Sequence, residues 1–436
     1  LVLIRLEGEK AEFTCVVAGM SGSPCSINGK LVGALSYSFA TFAKEPIAGV
    51  TPIGDMLDVM RLPEQERPWR LPPASRASLG PEADKEWDAM RSGVAMARTP
   101  PPEGLAPISA PLSMGGVPMD VRRHFGPYLE SIGFMPVAGG SGGAPTGRPQ
   151  PLKPGSAVAA ILVQGDVNIA ATGTVTTVEG NVVTAFGHPF FGAGAISVPM
   201  ANATIVNTMA SSMRSFKQSV SGPTLGEVTQ DRLPAIGGYI GKTPRMVPAS
   251  GVIETPAGRS KFRFEVARDL GLTPRFVAVG IASSLSGRID AGQRGLVRFK
   301  GTVKAAGAPP VVIEDVYSGE RDPGLFSYSA IDMAQAVAGL WSAGFGPPPA
   351  LEVTLDAKIE AEPIAERIEQ VYLDRGVIRA GEPFNVSVRL RRDSDGSLDY
   401  ETFRVQTPRT WAGSEVELYA ASSYGAESVA AKVSGP

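Results

Sequence analysis

The chain has 436 residues, 43% of them apolar and 19% charged, with a formal net charge of −2. That length exceeds one ordinary core and points to several domains, while the near-neutral charge argues against an electrostatic nucleic-acid footprint. No stretch reaches the about 18 continuous apolar residues of a membrane-spanning helix.

The 51 glycines and 38 prolines lie among short Val- and Ile-rich runs, the pattern of β-structure joined by many turns. Leu1-Val2-Leu3-Ile4 reads as a strand already in progress, so we expect residues N-terminal to it, with any targeting segment they carry. Residues 1–60 read as strands around Gly19-Met20-Ser21-Gly22-Ser23-Pro24, closing in a short helix at 53–60. A Pro/Gly-rich connector follows over 61–154, with helices expected at 82–97 and 118–132. In the second of these, Val121, Phe125, Leu129 and Ile132 share one face.

Strands resume within a unit at 155–270. The runs 158–163, 169–178 and 182–186 are separated by Gly-Asp and Glu-Gly-Asn turns of the antiparallel kind, and further strands are expected at 236–240, 246–253 and 261–266. A mixed region of strands plus a helix near 328–343 occupies 271–349, and 350–436 reads as a C-terminal β-sandwich. The fold class is mainly β.

A serine held in a Gly-rich turn between strands presents its hydroxyl, and the flanking glycines let a carbonyl approach the backbone. The amides of Gly19 and Ser21 can then converge on one oxyanion. The bland alternative is a tight, merely small hairpin. Ser23 reads as a hydrogen-bonding partner within the turn, and the turn lacks the Gly-x-Ser-x-Gly elbow of α/β-hydrolases. A nucleophilic serine needs a base, and the chain holds two histidines. His188 follows a strand within Phe186-Gly187-His188-Pro189, a Gly-flanked turn at a sheet edge; His124 sits beside Arg122 and Arg123 on what reads as a solvated helix face. Asp166 reads as a turn residue, and Arg214 and Lys217 either hold a substrate carboxylate or do nothing. Cys15 and Cys25 flank the serine turn and could pair or remain free thiols. No metal site and no cofactor is expected.

The run GMSGSP followed by GKLVGALSYSF and KEPIAGVTPI resembles the SpoIVB-type serine peptidases. The strand Gly173-Thr174-Val175-Thr176 leading to Gly187-His188 is similar to that family's second signature. The resemblance covers residues 1–60 and 155–265. It implies a chymotrypsin-like double β-barrel with Ser21 as nucleophile and His188 as general base, here in reversed chain order and so with permuted segments. The family's acidic residue lies just upstream of its serine, where this chain has Arg5-Leu6-Glu7 and no Asp. Glu7 is therefore the candidate third member, with Glu12 nearby. An extracytoplasmic location is implied in the same way. The expected function is a serine endopeptidase acting on a protein or peptide substrate, with an envelope partner bound through the C-terminal domain. The alternative is a catalytically inactive envelope binding or scaffold protein.

Overall fold

Where β-branched runs meet turn glycines, the chain forms hairpins. A computed structural model describes residues 1–39, 45–63, 87, 90, 104–140, 142–143, 149–269, 271–288, 295–319, 325–342, 350–360, 366–392 and 395–421. The N-terminal sheet contains β1 (Val2–Arg5), β2 (Ser23–Ile27), β3 (Lys30–Phe39), β4 (Ile47–Pro52) and β5 (Leu105–Pro107). Its order is β1-β4-β3-β2, with β5 added to β3. The β2–β3 hairpin turns at Asn28 and Gly29, both at positive φ, as a two-residue turn matched to strand twist requires. The helix Ile53–Asp58 leaves β4 directly and buries Met56 against Ala34, Val59 and Ala235.

The large sheet begins with β6 (Ala110–Gly115), β7 (Phe134–Ala138), β8 (Ala157–Gly165), β9 (Asn168–Glu179) and β10 (Val182–Ala185). The long hairpin of β11 (Gly194–Met209) and β12 (Phe216–Arg232) follows, then β13 (Ala235–Ile240), β14 (Met246–Thr255) and β15 (Gly258–Ala267). Last come β16 (Gly295–Ala305), β17 (Val311–Gly319) and β18 (Leu351–Glu360). The order is β17-β16-β18-β14-β15-β8-β11-β12-β13-β10-β9-β6-β7. A further pairing of β8 with β9 closes β8-β11-β12-β13-β10-β9 into a ring, a partial barrel within the larger sheet. The expected helix at 118–132 is present as Met119–Ser131, with Val121, Phe125 and Leu129 buried. The one near 328–343 is Leu325–Ser342. The helix expected at 82–97 lies outside the described residues apart from Trp87 and Met90, both buried. The helix Leu272–Ser286 is buried all round, and its Ser283 and Ser284 hydroxyls donate to the Val279 and Gly280 carbonyls, which satisfies them inside an apolar core.

Two compact units result: Leu1–Gly292 with Val297–Tyr317 and Asp322–Ile359, and Gln293–Leu296 with Ser318–Arg321 and Glu360–Pro436. The C-terminal boundary expected at 350 is thereby corrected. β18 alternates buried and exposed residues and pairs in parallel with β14, so it belongs to the large sheet. Among the described residues beyond 360, β19 (Glu366–Leu373), β20 (Pro383–Arg392) and β21 (Leu398–Gln406) form one sheet, followed by a short 3-10 turn at Arg409–Trp411, in place of the expected sandwich. Phe384, Val386 and Val388 are buried on it, while Arg389 and Arg391 pair with Glu369. Among the described residues, no helix is long and apolar enough to cross a membrane.

Candidate active site

Two glycines at positive φ, Gly19 (+94°) and Gly22 (+92°), shape the serine turn. A Cβ at Gly22 would lie 2.0 Å from the Thr174 carbonyl oxygen and 2.5 Å from the Phe186 nitrogen, so only glycine lets this turn seat on the second sheet. The seat is hydrogen-bonded. Thr174 N–H donates to the Ser21 carbonyl (2.8 Å), and the Thr176 hydroxyl donates to the Gly22 carbonyl (2.8 Å).

The peptide planes on either side of Met20 are fixed as firmly. The Gly19 carbonyl accepts from the Thr174 hydroxyl (3.1 Å) and from Lys217 Nζ (3.0 Å). The Met20 carbonyl accepts from Ser23 N–H (3.0 Å) and from Ser23 Oγ (2.7 Å), the role expected for Ser23. Among the described residues, the N–H groups of Gly19 and Ser21 donate to nothing. Ser21 is fully buried, and its Oγ has no hydrogen-bond partner among the described residues.

His188 follows β10 across Phe186 and Gly187, consecutive residues at φ +67° and +68°. A Cβ at Gly187 would meet Ser36 Oγ at 2.1 Å, and the Thr51 hydroxyl donates to the Gly187 carbonyl (2.6 Å). β3 and β4 therefore hold the histidine loop as well as the serine turn. His188 Nδ1 lies 2.8 Å from the Pro189 carbonyl, which can only accept; the proton sits on Nδ1, leaving Nε2 with the lone pair. Nε2 is buried and, among the described residues, makes no hydrogen bond of good geometry, to Ser21 Oγ or to the Ile108 carbonyl that faces the ring. Burial lowers the His188 pKa to about 4, partly offset by the Pro189 and Ile108 carbonyls, so the ring is neutral at neutral pH.

Asp231, buried on β12, escaped the sequence reading. Its carboxylate accepts the amides of Phe190 (2.7 Å), Phe191 (2.7 Å) and Ala193 (3.3 Å), clamping the loop after His188. Burial pushes its pKa up against the pull of those amides. The signal available was one carboxylate in the β-rich run Val228-Thr229-Gln230-Asp231. Lys217 is brought to the turn because Ala18 bridges to Phe216, its N–H donating to the Ser215 carbonyl (2.8 Å) and its carbonyl accepting from Lys217 N–H (3.0 Å), and burial lowers the Lys217 pKa.

The remaining candidates lie elsewhere. Glu7 and Glu12 are solvent-exposed around the helix Glu9–Thr14, and neither is a partner of His188. Asp166 accepts the Arg263 amide (2.7 Å), as a turn residue should. His124 is half-buried with Nε2 at the Met90 carbonyl (2.8 Å), not on a solvated face. Arg214 donates to Ser109 Oγ (3.0 Å). Cys15 and Cys25 are free thiols. Among the described residues, no cluster of His, Cys, Asp and Glu could hold a metal. No model of a protein family, no characterised protein and no solved structure matches the chain.

Proposed function

We propose that this chain is a serine endopeptidase of the SpoIVB type, working outside the cytoplasm through a permuted, chymotrypsin-like pair of β-units. One observation carries the reading: an unpaired serine hydroxyl and an unpaired, neutral imidazole nitrogen are buried on two turns that are hydrogen-bonded to each other's sheets. Buried polar atoms are normally satisfied, and exceptions concentrate where chemistry needs them free.

In the proposed reaction Ser21 Oγ attacks the scissile carbonyl while His188 Nε2 takes its proton. The Gly19 and Ser21 amides, which donate to no other group among the described residues, hold the oxyanion. The imidazolium then gives that proton to the leaving amine as the C–N bond breaks, and a water activated by the same nitrogen hydrolyses the acyl-serine. Pro189 supplies the orienting acceptor for Nδ1–H that a carboxylate usually supplies, so Glu7 has no part in this scheme. A neutral carbonyl stabilises the imidazolium less than an aspartate would, which predicts a slow enzyme.

The test is prolonged incubation with a fluorophosphonate, followed by peptide mapping. Adduct is expected at Ser21, and neither Ser21→Ala nor His188→Asn should label. Absence of adduct in the wild type and in the Ile108→Gly variant described below overturns the reading. The complete burial of Ser21 and the lack of a carboxylate at His188 favour the second reading, an inactive binding protein of the envelope, and that outcome would select it.

A further inference from the structure

Ser21 and His188 cannot be reached by solvent, so something covers them. Residues 105–111 run extended from one sheet to the other across the site. β5 pairs antiparallel with β3 through Tyr37↔Pro107, Ser38↔Ala106 and Phe39↔Leu105. The next link, Ile108 N–H to the Ser36 carbonyl (2.9 Å), lies beside the link that holds the serine turn, Gly22 N–H to the Leu35 carbonyl (2.7 Å). The register of β3 against β4 shifts between Leu35 and Tyr37, so Ser36 is an extra residue, a bulge placed between these two bonds. Beyond Ile108, Ser109 receives Arg214, and the Pro111 ring lies 3.3 Å from where a Gly19 Cβ would be. The Ile108 carbonyl faces the His188 ring closely enough to favour its protonation.

From this path, and resting on the peptidase reading above, we propose that residues 105–111 plug the substrate channel, lying along β3 as a peptide would but with the Ile108 carbonyl turned toward His188 and outside the Gly19 and Ser21 oxyanion site. Ile108 fills the pocket for the residue that donates the scissile carbonyl. The Ile108 side chain is 3% exposed and clusters with Leu35 and Ala48, with Val16, Met20 and Cys25 packed against them. Met20 directly precedes Ser21, so the Ile108 cluster adjoins the serine turn. The pocket presents no charge, which selects substrates with an aliphatic residue at this position, bound as an added strand on β3. The chain's own segment must leave before such a substrate enters, and the resting protein is self-inhibited.

Full-length protein carrying Ile108→Asp is the test, because a carboxylate in this pocket expels the segment. Fluorophosphonate should label Ser21 in that variant at least about tenfold faster than in the wild type. A second arm does not depend on catalysis. In a Ser21→Ala background, a fluorescein-labelled Leu-Ala-Pro-Ile amide should bind the variant, as read by fluorescence polarisation. It should not bind the chain with Ile108 intact, and a Leu-Ala-Pro-Asp amide should not compete. Where Ile108→Asp fails to fold, Ile108→Gly, which empties the pocket without adding charge, carries the same comparisons. Equal labelling of Ser21 with and without the substitution, or no peptide binding by either variant, overturns the inference and leaves the peptidase reading standing if Ser21 is labelled. Peptide binding without any labelling overturns the peptidase chemistry and leaves the occupied channel standing.

Discussion

Replacing His188 by asparagine should flatten the acid limb of this protein's stability. The ring is buried and its pKa is lowered to about 4 from an ordinary 6.5. As pH falls below 6.5 the unfolded chain's imidazole takes up a proton that the folded one refuses, so stability drops with falling pH until the folded pKa is passed. The shift corresponds to about 2 kcal/mol lost by about pH 5 and about 3 kcal/mol once both forms are protonated. Asp231, raised by burial, contributes with the opposite sign, since its stabilisation is lost as pH rises through its folded pKa. Comparing wild type with His188→Asn cancels that term and every other shared one. The asparagine amide can donate to the Pro189 carbonyl as Nδ1 does. Urea unfolding of both proteins at about pH 7 and about pH 5 gives the measurement. A wild-type loss exceeding the variant's by about 2 kcal/mol is expected, and two equal pH dependences would refute the buried neutral histidine.

Other substitutions follow from the same geometry. Ser21→Ala removes a buried hydroxyl that has no partner, so stability should stay level or rise by about 1 kcal/mol while fluorophosphonate labelling vanishes. A loss of stability would show that the hydroxyl is bonded in solution. Gly22→Ala forces a Cβ against the Thr174 and Phe186 backbones at a φ of +92°, and should cost about 3 kcal/mol or more in urea melts. Asp231→Asn turns an amino group toward amides that need an acceptor; a cost of about 1–3 kcal/mol is expected, together with slower labelling at Ser21 as the histidine loop loosens. Unchanged labelling at unchanged stability would remove Asp231 from the support of His188.

The serine turn was legible in the sequence because its geometry is written locally: two glycines at positive φ and a turn on either side of a short strand. His188 was legible for a similar reason, a glycine before it and a strand before that. What escaped depends on partners far away in sequence. Pro189 acts through its carbonyl, which no residue type announces. Asp231, and the bond from Lys217 to the Gly19 carbonyl, reach their loops only once β12 is in place, and the long Ser- and Asn-containing arms of β11 and β12 lack clean alternation. The helix Leu272–Ser286, apolar on every side, has no amphipathic period to reveal it. The Pro-rich break before β18 reads as a domain boundary, while the parallel partner that places it in the large sheet, β14, lies about a hundred residues earlier.

The contacts between the serine turn and the second sheet have a thermodynamic consequence. Ser21 and His188, the proposed nucleophile and base, belong to different sheets, and what joins their turns is a short set of backbone and hydroxyl bonds, from Thr174, Thr176 and Thr51 to the carbonyls of Ser21, Gly22 and Gly187. Such a joint acts as a fuse. Any opening that parts the two sheets disarms the site in one step, long before either sheet loses its own hairpins. Inactivation should therefore precede the loss of β-structure as denaturant rises, so the uncoupled protein is silent and an unregulated fragment is not released by partial unfolding.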